Sequence, residues 1–341
     1  MKAPRGFSTG GNMPAGPLLL VLIVCLVAPS CATGASAASS NWPKSLTLAT
    51  ASPGGVYITY GEAVAKLLSE KLGIAVNPLP TQGPVHNVKL LESGGAQLGM
   101  TTMGVALQGW NGTGDWTSGK HFHNMRALFP MYDTPFQAIV LQQSGITSFE
   151  QLNNKRIGVG PRAGTGGTYI PEIMKLLGIS VEIRYGSFND MAGELFASHY
   201  DAFTTLTGAP VPAIQQAEAK EPLTFIRLSP GQIDTIRKAM PEFSPSNIPA
   251  GTYRLLDKDY ATFGVYNFFI GQPNLPDDLV YELVKIIFEN QPTILKAHSS
   301  ARETIPQNVL KDTFLPIHPG AARYYREIGI TIPDELLPAK N

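Results

Sequence analysis

Glycine and hydroxyl side chains occur together at four places where a strand-like apolar run ends. These stretches are ASPGG at 51–55, TQGPVHN at 81–87, PRAGTGGT at 161–168 and TTLTGAP at 204–210. In open α/β sheets, the carboxyl ends of strands and the helix starts that follow them form the ligand-binding edge. Free N–H groups and the helix dipole can accept a carboxylate there. One such stretch is typical of a turn, but four predict two faces closing on one small polar or anionic molecule.

Several side chains in or near these stretches suit a carboxylate ligand. Arg162 is the strongest candidate, because a planar guanidinium can donate two parallel hydrogen bonds; the alternative is an exposed cation on a loop. Thr165 and Thr168 would add hydroxyl donors, while Tyr57 and Tyr132 would form either an aromatic wall or part of the core. The predicted ligand-binding residues are Ser52, Gly54, Gly55, Tyr57, Thr81, Gly83, Asn87, Thr101, Tyr132, Arg162, Gly164, Thr165, Gly166, Thr168, Thr205, Thr207 and Gly208.

The sequence contains no pattern typical of a catalytic or metal centre. It has no G-x-S-x-G, H-E-x-x-H or Walker motif. The histidines do not follow a metal-ligand spacing, except His121 and His123 in a polar loop, where chance proximity is the simpler explanation. Acidic residues such as Asp133 and Asp201 could act as general acids or bases, but positions in helix caps or loops explain them equally well. We therefore predict a binding protein that is not an enzyme and that uses no cofactor or metal.

Composition narrows the class of protein and partner. The chain has 341 residues, 43% of them apolar, and a formal net charge of zero. These values are typical of a folded chain with two domains of ordinary size. A balanced charge provides no basic surface for a phosphate backbone, so we do not expect nucleic acid as a partner.

The N-terminal 37 residues have the pattern of a secretory signal peptide. A positively charged start precedes an apolar run over 17–28, and small residues predict cleavage after Ala37. The run is short for a membrane span; the alternative is a lipoprotein anchored at Cys31. Because Cys25 and Cys31 both lie in this leader, the exported part would contain no disulfide and no thiolate metal site. We expect a periplasmic protein.

Two runs of alternating strand and helix patterns would position the four stretches. The first run predicts strands at 46–50, 74–79 and 97–102, and helices at 57–72 and 85–92. The second predicts strands at 137–142, 156–160, 181–185 and 200–205, and helices at 148–152, 170–177 and 189–197. This βαβα order with short connections predicts α/β layers with a largely parallel sheet.

The last third of the chain has a less regular pattern. Residues 232–253 are rich in proline and are predicted to be irregular, whereas 260–270 predict a buried strand. Residues 277–288 predict a helix, with two aspartates at its N-terminus and apolar side chains on one face. We assign His318 and the adjacent tyrosines at 324–325 to packing of the last helix.

Long stretches of the chain resemble one family of transport receptors. They are ATASPGGVYITYGEAVAKLL at 49–68, VNPLPTQGPVHNVKLLESGGAQLGMTT at 76–102, SGITSFEQLNNKRIGVGPRAGTGGTYIPEIMKLLGI at 144–179, YDAFTTLTGAP at 200–210 and HPGAARYYREIGI at 318–330. In this order they resemble the TAXI family, the extracytoplasmic solute receptors of one subclass of TRAP transporters (tripartite ATP-independent periplasmic transporters). The resemblance covers roughly residues 45–330.

The resemblance implies a two-lobed periplasmic binding protein of type II topology, with two α/β domains joined by a hinge. One lobe would comprise residues 38–134 and 256–341, and the other residues 135–255. The hinge would lie near 132–138 and 250–262. A small carboxylate held between the lobes would pass to a TRAP membrane permease with fused small and large membrane subunits.

The resemblance also implies roles for individual residues. Gly54 and Gly55 would let the backbone approach the ligand. Gly83 and Asn87 match a family motif in which Pro84 replaces the usual serine, which removes a hydroxyl and an N–H. Given this and similar changes, a dicarboxylate or 2-oxoacid is at least as good a candidate ligand as an acidic amino acid.

Other functions remain open for the same architecture. It also serves the receptors of ABC importers, and an exported sensor domain or an exported enzyme could use it. A neighbouring gene for a fused membrane permease would favour the TRAP assignment, whereas an ATPase gene would favour the ABC assignment.

Overall fold

Ten strands and ten α-helices lie along residues 41–338, the part of the chain that this computed structural model describes. The strands are β1 (Ser45–Ala49), β2 (Ala75–Leu79), β3 (Leu98–Thr102), β4 (Arg126–Leu141), β5 (Lys155–Gly158), β6 (Val181–Arg184), β7 (Ala202–Leu206), β8 (Leu223–Phe225), β9 (Ser244–Ile248) and β10 (Tyr260–Gly271). The helices are α1 (Val56–Leu72), α2 (Pro84–Ser93), α3 (Met103–Asn111), α4 (Thr165–Leu176), α5 (Phe188–Phe196), α6 (Pro212–Glu218), α7 (Pro230–Ala239), α8 (Asp277–Glu289), α9 (Gln291–Ala297) and α10 (Pro319–Glu327). The predicted α/β class is confirmed.

The strands join in the order β2-β1-β3-β10-β4-β7-β5-β6, with β8 added beside β4 and β9 beside β10. The first strand group (β1, β2 and β3) is parallel, and so is the second strand group (β5, β6 and β7). The strands β4 and β10 run antiparallel to their neighbours. The predicted parallel arrangement therefore holds within each group but not for the two long strands between the groups.

The long strand β4 links the two strand groups. It pairs with β10 as far as Pro135, and from Phe136 onwards it pairs with β7 and β8. Almost all of its residues are buried, as expected of a strand covered on both faces. The sequence pattern predicted only 137–142, because the earlier part contains Pro130 and Pro135, and proline is uncommon inside strands.

Helix boundaries follow local sequence signals. α1 ends at Gly73, which has a φ of 70° and donates its N–H to the Ser69 carbonyl, a common helix terminator. α8 begins with Asp277 and Asp278, whose charges favour the N-terminal end of the helix dipole. These two helices lie within one residue of their predicted bounds.

The prediction of an irregular segment at 232–253 was wrong. Most of α7 and all of β9 lie there. α7 begins with a capping box, in which Ser229 Oγ accepts the Gln232 N–H at 3.2 Å and the Gln232 side chain accepts the Ser229 N–H at 2.8 Å. Pro230 occupies the first helical turn, where proline is favoured. Prolines in and near this segment were interpreted as loop signals, although Pro230 starts a helix.

Buried side chains form two clusters. The larger one contains residues of the first strand group and of β10, such as Leu48 and Phe269, and the smaller one surrounds Phe203 on β7. His318 and Tyr325 are fully buried at α10. Tyr325 donates to the Leu128 carbonyl at 3.0 Å. The structure thus places both residues in the packing of the last helix, where we expected them.

The predicted signal peptide at 1–37 and Cys31 lie outside the described residues. Within residues 41–338, no helix has the length and apolar character needed to span a membrane. The lobe boundaries near 134 and 255 stay a prediction.

Candidate functional site

A cleft lies where several strand ends meet the helices that follow them. Its free space, including its open mouth, measures about 420 Å³. All four glycine- and threonine-containing stretches contribute to its walls, together with β4, β10 and α5. The residues lining this central cleft are Ala51, Gly55, Val56, Tyr57, Gln82, Gly83, Pro84, Thr134, Val159, Pro161, Gly164, Thr165, Gly166, Phe188, Leu206, Thr207 and Asn267. Segments that follow strands of both groups therefore wall the same cleft.

Four helices begin at the central cleft, of which α5 is capped by the Ser187 side chain and α2 starts with Pro84, which has no N–H. α1 follows Gly55 and α4 follows Gly164, so neither helix has a side chain at its N-cap to accept a hydrogen bond. Within residues 41–338, the first helical amides, those of Val56 and Thr165, donate to no backbone carbonyl. Free N–H groups and the helix dipole favour an anionic or strongly polar group. Two such helix ends therefore border one small space.

Tyr57 and Asn267 form a polar edge of the central cleft. The Tyr57 hydroxyl donates to Asn267 Oδ1 at 2.5 Å. Asn267 Nδ2 donates to the Tyr132 carbonyl at 2.6 Å and to Thr134 Oγ1 at 2.5 Å. Burial raises the pKa of Tyr57 well above its usual range. Its hydroxyl therefore stays protonated and remains a donor.

Arg162 lies outside the central cleft. Its side chain is exposed, and its guanidinium stacks 3.8 Å from the centre of the Tyr185 ring, a cation–π contact. It lines a separate groove together with Asp115 and Glu172. The side chains that line the central cleft are all neutral. An anion there would meet amides and hydroxyls rather than a guanidinium.

The predicted ligand-binding residues fall into three sets. One set lines the central cleft: Gly55, Tyr57, Gly83, Gly164, Thr165, Gly166 and Thr207. The second set, Thr81 and Asn87, does not line the central cleft but hydrogen-bonds to the turn that does. Thr81 Oγ1 donates to Asn87 Oδ1 at 2.7 Å and accepts the Gly83 N–H at 3.0 Å, while Asn87 Nδ2 donates to the Thr50 and Met100 carbonyls, both at 2.8 Å. This network holds the turn after β2 in place.

The third set consists of Arg162 and seven other residues, none of which is among the described residues that line the central cleft. The seven others are Ser52, Gly54, Thr101, Tyr132, Thr168, Thr205 and Gly208. The buried Tyr132 ring packs edge-on against Tyr57 and Tyr60, with ring centres 6.4 and 5.4 Å away. Thr168 Oγ1 donates to the Gly164 carbonyl at 2.9 Å, which uses its hydroxyl within α4.

Backbone segments from the two sides of the central cleft touch each other. Gly83 has a φ of 107°, and a Cβ there would lie only 3.1 Å from Gly164 Cα. The Val85 N–H donates across the same boundary to the Ala163 carbonyl at 3.1 Å. A side chain at position 83 would therefore strain the backbone and separate the two sides.

The glycine pair after β1 borders protein as well as the central cleft. Gly54 has a φ of 84°, and a Cβ there would collide with the Asn189 side chain. The Gly54 carbonyl accepts the Ala213 N–H at 3.2 Å. Gly55 lines the cleft and contacts the Phe188 ring. The close approach predicted for Gly54 is therefore made to helices α5 and α6.

Several lining residues were missed by sequence reasoning. Asn267 carried a usable signal, because it is a polar residue inside the apolar strand at 260–271, and a buried polar side chain needs hydrogen-bond partners. Phe188, Leu206 and Val159 carried none, because an apolar residue lining a cleft has the same pattern as one in the core.

Metal ligands are a separate question. Among the described residues, no group of three or more His, Cys, Asp and Glu side chains could hold a metal ion. His121 and His123 both contact the Trp110 carbonyl, at 2.9 and 3.0 Å.

Solved structures with a similar fold include periplasmic binding proteins. The periplasmic binding protein BugD has a TM-score of 0.54 and 12% identity, over 85% of this chain and 99% of that chain. A periplasmic transporter has a TM-score of 0.52 and 14% identity, over 75% and 87%. PhnD1 from Prochlorococcus marinus (MIT 9301), in complex with methylphosphonate, has a TM-score of 0.50 and 13% identity, over 77% and 92%. These similarities establish the two-lobed α/β fold of periplasmic binding proteins.

The sequence itself matches one protein family over most of its length. The match extends over residues 48–329 and is to the NMT1-like family. It includes every residue that lines the central cleft. The protein therefore belongs to the NMT1-like family.

Proposed function

We propose that this protein is an extracytoplasmic solute receptor that captures a small carboxylate in the central cleft and releases it chemically unchanged. The observation that carries this proposal is the convergence of four strand ends and of the free first amides of α1 and α4 on one cleft. Such groups bind anions without a cationic side chain. The fold shared with periplasmic binding proteins supports a binding role rather than a catalytic one.

The proposed recipient is a TRAP membrane permease in which the small and large membrane subunits are fused. The resemblance of residues 45–330 to TAXI receptors supports this choice. The alternatives are the receptor of an ABC importer and an exported sensor domain of the same fold. An adjacent gene for a fused permease would support the TRAP partner, an ATPase gene would support the ABC importer, and a kinase gene would support the sensor.

The proposed location is the periplasm. The sequence pattern of residues 1–37 supports export with removal of a signal peptide, and a lipoprotein anchored at Cys31 is the alternative. The mass of the mature protein separates the two cases. A chain that begins at Ala38 supports cleavage after Ala37, whereas a lipid-bearing chain that begins at Cys31 supports the anchor.

The proposed mechanism is closure of the two predicted lobes around the ligand. A ligand that contacts both lobes binds the closed state more tightly and shifts the population towards it. The hydrogen bond from the Val85 N–H to the Ala163 carbonyl would form as the lobes approach. The hinge would lie in the segments that contain the junction of β4 at 135–136 and the start of β10 at 260.

Calorimetry and thermal shift on the mature protein test the receptor role. The ligand panel consists of dicarboxylates, 2-oxoacids and acidic amino acids, and native mass spectrometry identifies any co-purified small molecule. We expect saturable binding without turnover, and Arg162→Ala as a control with unchanged affinity, because Arg162 lies outside the central cleft. The proposal would be contradicted if no compound of the panel gave a binding signal and no small molecule co-purified. Conversion of a compound to product would also contradict it.

A further inference from the structure

The walls of the central cleft differ from the polar edge formed by Tyr57 and Asn267. One wall consists of Phe188, Leu206 and Val159, whose side chains are at most 8% exposed. The turns that complete the cleft add proline rings and glycine backbone. A guest in this space would therefore meet polar groups and an apolar wall together.

The two helix starts suit a single carboxylate. The first helical residues of α1 and α4, Val56 and Thr165, both line this cleft, and the dipoles of both helices have their positive ends there. Thr165 and Thr207 are also lining residues. One carboxylate can take these donors without a cationic side chain.

A second carboxylate on the same molecule would find no cationic side chain among the lining residues. An ionised carboxylate that loses its water without gaining a charged or hydrogen-bonding partner is strongly disfavoured. Arg162 does not supply that partner, because its guanidinium is exposed and stacked on Tyr185. The same argument applies to the side-chain carboxylate of an acidic amino acid.

We propose that the central cleft takes a small monocarboxylate with an apolar body and rejects dicarboxylates and acidic amino acids. This inference rests on the proposed receptor function and narrows its ligand class. The apolar body would lie against Phe188 and Leu206, and the carboxylate would lie at the helix starts.

Two 2-oxoacids with the same head and different tails test the inference on the mature wild-type protein. The probes are 4-methyl-2-oxopentanoate, which has an aliphatic tail, and 2-oxoglutarate, which has a second carboxylate. We expect calorimetry to show binding of the first that is tighter by at least about tenfold. Equal or tighter binding of 2-oxoglutarate, or of glutamate, would overturn the inference.

A variant tests whether the apolar wall holds the tail. Phe188→Ala should weaken binding of 4-methyl-2-oxopentanoate by about tenfold and binding of pyruvate, which lacks the tail, by less than about twofold. Phe196→Ala is the matched control, because Phe196 lies on the same helix and is not a lining residue. An equal loss for both acids in Phe188→Ala would overturn the role of the wall. Comparison of the two probes on the wild type does not depend on the folding of either variant.

Failure of the ligand class and failure of the receptor role give different results. If 2-oxoglutarate binds and 4-methyl-2-oxopentanoate does not, the receptor function stands and the inferred monocarboxylate ligand class is overturned. If neither probe binds and the native mass spectrum shows a bound dicarboxylate, acidic amino acid or non-acid, the meaning is the same, whereas a bound apolar monocarboxylate supports the inference. If neither probe nor any compound of the wider panel binds, and the native mass spectrum shows no bound molecule, both the receptor function and the ligand class are overturned.

Discussion

At the scale of single residues, the chemistry of the central cleft depends on neutral groups. Tyr57 donates to Asn267, and Asn267 is tied to Thr134 and to the Tyr132 backbone. All four residues are buried. A buried amide that loses a partner leaves a polar atom unpaired, which costs about 1–3 kcal/mol. The edge that faces a ligand is therefore held rigid by bonds within the protein.

Tyr57→Phe tests this edge. Removal of the hydroxyl leaves Asn267 Oδ1 without its donor, so we expect unfolding in urea to show a loss of about 1–2 kcal/mol. Because Tyr57 also lines the central cleft, we expect ligand affinity in calorimetry to fall by about tenfold.

Tyr60→Phe is the control for Tyr57→Phe. Its hydroxyl is also buried and pairs with Thr304 Oγ1 at 2.9 Å, but Tyr60 is not a lining residue. We expect a similar loss of stability with unchanged ligand affinity. An equal loss of affinity in both variants would contradict the direct role of Tyr57.

At the scale of elements, the helix starts differ in whether a side chain caps their free amides. The starts of α1 and α4 are uncapped and border the cleft. α10 instead has a side-chain cap, in which His318 Nδ1 accepts the Gly320 N–H at 3.2 Å. A side-chain cap takes up an amide at the helix start, whereas the uncapped starts of α1 and α4 leave their first amides free.

The cap on α10 predicts a pH dependence of stability. Burial lowers the pKa of His318 from its ordinary 6.5 to about 4. Between these values the unfolded chain binds a proton that the folded state excludes. Stability present at neutral pH is therefore lost as the pH falls from about 6.5 to about 4, by about 3 kcal/mol from this group. Urea unfolding at several pH values measures the loss.

His318→Asn isolates this contribution, because asparagine keeps a cap acceptor and does not titrate. Burial raises the pKa of Asp133 to about 6, so its contribution to stability falls as the pH rises over much of the same range. The difference between wild type and variant removes that opposing effect. We expect the wild type to lose stability more steeply on acidification, and parallel curves would refute the assignment to His318.

Gly54→Ala tests the turn between β1 and α1. Its φ of 84° strains any side chain, and a Cβ would also collide with Asn189. We expect a loss of about 2–3 kcal/mol in urea unfolding. Gly73→Ala is the control, because it has a φ of 70° with no atom within 4 Å of the added Cβ, and should lose only about 1 kcal/mol. Equal losses would show that the contact with α5 does not contribute.

At the scale of the whole molecule, direct contacts join the two sides of the central cleft. Besides the backbone bonds of Val85 and Gly54, the hydroxyls of Thr102 and Thr165 lie 3.2 Å apart. Thr102 ends β3 in the first strand group, whereas Thr165 starts α4, which follows β5 of the second. These contacts connect elements that follow different strand groups, so their strength would influence any closure of the lobes.

Thr102→Val tests that influence. Loss of the hydroxyl removes one contact across the cleft, and a penalty of about 1 kcal/mol on the closed state lowers ligand affinity by about fivefold. Small-angle scattering should show a smaller ligand-induced decrease in radius of gyration than in the wild type. Thr204→Val is the control, because its buried hydroxyl donates to Gly158 at 3.3 Å between two strands of the second group. An effect of equal size in Thr204→Val would argue against coupling through the cleft.

The limits of prediction from sequence are clear from particular residues. The helices α1 and α8 were predicted to within one residue, because their apolar faces and terminal residues are local signals. The short helix α9 and strand β8 were missed, because elements of this length have no distinct period. Arg162 was ranked first for a ligand on chemistry alone, and Asn267 was not considered.

The sequence by itself determined many of the strands and helices, such as α1 and α8, and which turns contain glycine, because these choices depend on neighbouring residues. It also carried the match to the NMT1-like family over residues 48–329. Only the tertiary structure decided that Arg162 stacks on Tyr185 while Asn267 reaches Tyr57. These positions depend on how β4 and β10 bring distant segments together, and side-chain direction at such a junction is set by packing between residues far apart in the chain.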